Sequence, residues 1–228
     1  RRRYNRRKRR QNLAALAVKR RFDDVRNLLG VVVLHRHSGI PLYSRMLREG
    51  FDDSLISAFI TAISQFRQEF DVDQKEWEVI PVSDIIMSVR TQNLVCAFIT
   101  MGSPSASQQE RMVRFARAIG FVFDSEFEDV PLLKIDEKTE SRFDDLFEEM
   151  LDVQLGVKHK IITTKTLPRG PKCLNKAIRD LEEEGVVELE DMAEKIAACG
   201  LEEARVYQII WDAIEAHHLI PVEEDMVD

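Results

Sequence analysis

The sequence predicts an α+β fold: a five-stranded, mainly antiparallel sheet flanked by helices, followed by a small helical unit. Three observations predict it. Gly30–Met101 runs in the order hairpin, helix, strand pair, with β-branched runs on either side of a long apolar-striped segment. Leu94–Met101 is almost wholly apolar, as expected of a strand buried on both faces. Beyond Pro171, apolar residues recur at helical spacing, beginning with Leu174, Ile178 and Leu181.

In chain order, Leu13, Leu16, Ala17, Phe22, Val25, Leu28 and Leu29 form a lead-in helix that Gly30 is expected to end. Val31–Arg36 is a strand, His37-Ser38-Gly39 a turn, and Ile40–Met46 the returning strand. Pro41 has no N–H, so that strand suits a sheet edge. Asp52 or Asp53 caps a helix striped by Leu55, Ile56, Phe59, Ile60, Ile63, Phe66 and Phe70. Trp77–Val82 and Ile85–Val89, divided at Pro81, are strands that lead to Leu94–Met101.

Ser103 or Ser105 caps a helix lined by Met112, Phe115, Ala116, Ile119, Phe123 and Phe127. Phe143, Leu146, Phe147, Met150 and Leu151 mark another, with Asp144, Asp145, Glu148 and Glu149 turned outward. Phe59, Ile63, Phe98, Phe115 and Ile119 are expected in the core.

The C-terminal part reads as three helices, broken at Gly185 and Gly200, and a short strand at Leu219-Ile220-Pro221-Val222. That is a reduced winged-helix-like unit. The expected divisions are a basic arm and lead-in helix (1–29), the sheet domain (30–157), a linker (158–171) and the winged-helix-like unit (172–228).

Charge is the most informative feature for function. Residues 1–21 hold eleven Lys/Arg and no acid, leaving 22 basic against 40 acidic residues in the rest. Residues 181–228 carry fifteen acids against Lys195 and Arg205. The candidate contact residues are Arg1, Arg2, Arg3, Arg6, Arg7, Lys8, Arg9 and Arg10. Such a run suits either the cytoplasmic flank of a membrane segment, against anionic lipid, or nucleic-acid phosphates. The chain does not open on Met, which favours the membrane reading with a hydrophobic segment preceding Arg1. Within the chain, apolar runs such as Ile56–Ile63 fall far short of the ~20 residues that span a bilayer.

Chemistry is not indicated. No phosphate-binding glycine loop, H-E-x-x-H or C-x-x-C occurs. His35 and His37 are two apart and read as turn residues, His217 and His218 as a helix end, and Trp211 as a core anchor. Cys96, Cys173 and Cys199 are odd in number and widely spaced, which argues for a reducing compartment and against a disulfide framework or zinc site. No catalytic, cofactor-binding or metal residue is assigned.

Over Gly30–Leu155 the element order resembles the longin domain. The residues that carry it are Val31-Val32-Val33-Leu34-His35-Arg36-His37-Ser38-Gly39-Ile40-Pro41-Leu42-Tyr43-Ser44 and the following Leu55–Ile63. Roadblock relatives share the sheet and place a helix before the hairpin; the two amphipathic helices after Met101 favour longin. The resemblance covers just over half the chain and is to a prokaryotic, archaeal-type version. The appended unit and the lack of a SNARE-type heptad run depart from vesicle fusion longins.

The resemblance implies a non-enzymatic scaffold with protein partners such as small GTPases or trafficking and secretion components. The alternative is a nucleic-acid-binding protein using the arm and the winged-helix-like unit, with Arg169, Lys172, Lys176 and Arg179. The third C-terminal helix offers one Arg against Glu202, Glu203, Asp212 and Glu215, so duplex DNA is not expected there, while RNA stays open through the arm.

Overall fold

The computed structural model describes residues 2–47, 79–83, 86–127 and 135–222, with side chains over 9–47, 79, 86–124 and 135–222. The helix expected at Leu55–Phe70, with Phe59 and Ile63, lies outside them. The fold is α+β; the described residues form two antiparallel sheets, and the chain divides into two compact units. One unit is Arg26–Val153; the other joins Arg1–Val25 to Gln154–Asp228.

The first unit is built on strands β1 (Leu28–His35), β2 (Pro41–Met46), β3 (Val79–Ser83), β4 (Ile86–Arg90) and β5 (Leu94–Thr100), in the order β2-β1-β5-β4-β3. All pairs are antiparallel. The two prolines sit where a missing N–H does least harm: Pro41 opens edge strand β2, and Pro81 lies beside a bulge in edge strand β3. Every residue of β5 is buried, as a strand covered on both faces requires.

Helices α2 (Ala106–Phe127) and α3 (Glu137–Met150) follow the sheet. Ser105 caps α2, its Oγ accepting from the Gln108 N–H at 3.2 Å, and Asp136 caps α3. Val31, Val33, Cys96 and Phe98 pack with Met112, Phe115, Ile119, Phe143 and Phe147 in one core. Phe98, Phe115 and Phe147 form a chain of edge-on ring contacts at 5.9 and 5.8 Å. Val32, Leu34 and Val95, alternating with these along their strands, form a separate buried cluster. Arg111 and Asp152 make a buried ion pair at 2.7 Å.

The lead-in helix does not reach Gly30. Helix α1 is Arg2–Asn27, and Gly30 lies inside β1. A Cβ on Gly30 would stand 2.5 Å from the Arg45 carbonyl oxygen, so this glycine admits the close approach of β2 rather than stopping a helix.

The second unit contains a three-stranded sheet of β6 (Lys158–Ile161), β7 (Val186–Glu188) and β8 (Leu219–Pro221), ordered β7-β6-β8. Its helices are α4 (Lys172–Glu184), α5 (Leu189–Ala197) and α6 (Glu203–Glu215). The segment read as a linker therefore supplies the central strand of a sheet. Leu174, Ile178, Leu181, Met192, Ile196, Val206 and Ile210 share a core with Phe22 and Val25 of α1. Gly185 and Gly200, with φ of 69° and 87°, end their helical segments as expected.

Cys173, in the first turn of α4, and Cys199, just past α5, form a disulfide with Cα atoms 5.7 Å apart. This corrects the expectation of unpaired cysteines: helix packing joins residues 26 apart in sequence. The reducing-compartment reading loses the support those cysteines lent it. Cys96 is free, and complete burial holds its thiol far above the usual range.

Candidate functional site

Arg2–Arg10 form the start of α1, continuous with the part that packs into the second unit; Arg1 lies outside the described residues. Arg9 and Arg10, where side chains are described, are exposed. No Gly or Pro interrupts residues 1–27, and Leu13–Val18 is rich in strong helix formers. The charges oppose them. Positive residues at the helix start meet the positive end of the macrodipole, no acid lies in the first turn, and like-charge pairs at i,i+4 such as Arg2/Arg6 and Arg6/Arg10 each cost about 0.2–0.5 kcal/mol. An anionic surface relieves both penalties.

The other end of α1 is fixed by side-chain chemistry. The Phe22 and Tyr207 rings lie 4.9 Å apart, and the Arg21 guanidinium stacks 4.0 Å from the centroid of the Trp211 ring. Trp211 is half-buried and packs against the core of this unit, as expected, while its ring also carries the Arg21 guanidinium. Lys19 pairs with Asp23 at 2.8 Å and Glu203 at 3.4 Å. Burial pulls its ammonium down, but the hydrogen bond and charge of Asp23, with Glu203, outweigh this and raise it.

Two faces of α1 emerge. Ala15, Phe22 and Val25 are buried, with Val18 partly so. Arg9, Leu13, Leu16 and Arg20, spaced i, i+4, i+7 and i+11, form an exposed stripe on the opposite side. Leu13 and Leu16 are 58% and 43% exposed. Reading all the leucines of this segment as one stripe missed the division. The signal was present: Leu13 and Phe22 are nine residues apart, two and a half turns, and so face opposite ways.

The histidines assemble no metal site, and among the described residues no group of three His, Cys, Asp or Glu is placed to hold one. His35 Nδ1 lies 2.8 Å from Ser38 Oγ, and partial burial, then His37, lowers its pKa. His217 takes a left-handed conformation past α6, and His218 Nδ1 lies 3.2 Å from Thr166 Oγ1. His159, fully buried in β6, was not singled out in sequence; its Nδ1 meets the Val157 carbonyl at 3.0 Å.

A groove of about 490 Å³ between Val79 of β3 and α2 exposes Val113, Arg114 and Arg117, with no nucleophile–base pair in its lining. The outward residues of α6 and its start include Glu202, Glu203, Asp212 and Glu215 beside Arg205. No described helix is long and apolar enough to cross a membrane. The sequence matches no family model and no curated protein at significant similarity, so the functional reading rests on the surface of α1 and the fold behind it.

Proposed function

We propose that the protein is a non-enzymatic interaction scaffold at the cytoplasmic face of a membrane. In this reading the first unit is longin-like, and both units meet protein partners, small GTPases or trafficking and secretion components among them. The observation that carries the membrane contact is the charge of α1: ten Lys/Arg and no acid from Arg2 through Arg21, on a helix rooted in a packed core. Each such residue near an anionic leaflet contributes about 1 kcal/mol, fading within a Debye length. The β1–β2 hairpin, the β3–β4–β5 meander and the two helices after them support the longin-like assignment. The fold alone does not fix partners.

The test is sedimentation of the full chain with neutral or anionic liposomes, with and without residues 1–10. Binding to anionic vesicles that is lost with the arm supports the reading. Equal binding to both lipids, or no loss on removing the arm, refutes it. Preference for RNA over anionic vesicles at matched salt installs the nucleic-acid alternative.

A further inference from the structure

We infer that α1 lies in the plane of an anionic bilayer and inserts Leu13 and Leu16 at the boundary of headgroups and acyl chains, with Arg9 and Arg20 bracketing them among the phosphates. This rests on the membrane reading above but adds a contact that charge alone does not supply. Single exposed leucines are ordinary on protein surfaces. Here two share a stripe, a turn apart, with an arginine beyond each end and no acid in the helix before Asp23. That is the pattern of an interfacial helix, in which apolar area and attraction to anionic lipid act together.

The rotation of the helix is fixed as well. Phe22 and Val25 are sunk in the core of the second unit, and Arg21 stacks on Trp211, so the Leu13–Leu16 stripe is held away from that core. An inserted α1 therefore sets the second unit on the membrane surface with its α6 side behind the helix. The basic surroundings commit the stripe to an anionic bilayer. Lys19 already serves Asp23 and Glu203, whereas Arg9, Arg10 and Arg20 are exposed around the leucines.

The test uses the full chain and vesicles of phosphatidylcholine with or without phosphatidylserine. Leu13→Ser combined with Leu16→Ser should lower partition onto the anionic vesicles at least about tenfold, because binding scales with the apolar area inserted. A second measurement does not depend on those variants folding. Leu13→Trp should be quenched by acyl-brominated lipid beyond the quenching of the native tryptophans, and Gln11→Trp, on the other side of the helix, should not.

Loss of binding on removing residues 1–10 with no effect of the serine pair, and equal quenching at Leu13 and Gln11, overturns insertion while leaving the electrostatic contact standing. No binding of the wild-type chain to anionic vesicles overturns both. Binding to RNA in preference to the vesicles, unaffected by the serine pair, overturns insertion in favour of nucleic acid.

Discussion

Phe22→Ala probes whether α1 belongs to the core of the second unit. Phe22 is 4% exposed and meets Tyr207 at 4.9 Å. A buried phenylalanine hides about 150–250 Å², worth about 4–6 kcal/mol at ~25 cal/mol/Å². Alanine retains a methyl, and compact unfolded chains make such areas upper bounds, so about 3–4 kcal/mol is expected, within the range for Phe→Ala. Trp211 lies in the same unit, and Trp77→Phe leaves it as the only tryptophan. Urea unfolding followed by Trp211 fluorescence should then show a midpoint lowered by about 1.5–2 M at an m-value near 2 kcal/mol/M. Exposed Leu16→Ala should stay within about 0.5 kcal/mol. A midpoint unmoved by Phe22→Ala, or a fragment of residues 154–228 as stable as the full chain, would refute the claim that α1 completes this core.

Three further outcomes are expected. Cys173→Ser with Cys199→Ser should destabilise the second unit by about 3–4 kcal/mol, as a closed loop of this length implies; three reactive thiols in unreduced, denatured protein, instead of Cys96 alone, would contradict the bond. Burial depresses the His159 pKa below its ordinary 6.5, outweighing the Val157 carbonyl. The unfolded state therefore binds the extra proton first, and the Trp211-detected midpoint should hold above about pH 7 and fall toward pH 5, by at most ~1.4 kcal/mol per pH unit. His159→Leu should flatten that slope; an unchanged slope assigns it elsewhere. Gly30→Ala should cost about 1–3 kcal/mol by driving β2 from β1, and an unaltered calorimetric transition would show that the strands have room.

What the sequence revealed depended on the range of the interaction. Strands β1, β2, β4 and β5 were legible because branched and apolar residues cluster there, and Pro41 announced an edge through a local backbone property, whereas Pro81, read as a break, lies beside a bulge within edge strand β3. Gly30 was misread because the reason for a glycine lies across the sheet, at Arg45. Strand β6 was taken for linker because Lys158-His159-Lys160 is polar, and only its place between β7 and β8 buries His159. The disulfide was hidden for a similar reason: the packing of α4 against α5 brings its cysteines together. At the candidate site, the basic run was plain from composition. The two faces of α1 were not, since a list of apolar residues carries no angle until the helix is drawn.

The measurement closest to the central claim is the equilibrium partition of the full chain onto vesicles, titrated in anionic lipid fraction and in salt. Eleven basic residues on one helix should make partition rise steeply with anionic fraction and fall steeply as the Debye length shortens. Partition that is flat in both, or absent at every anionic fraction at low salt, would contradict a membrane-contacting α1.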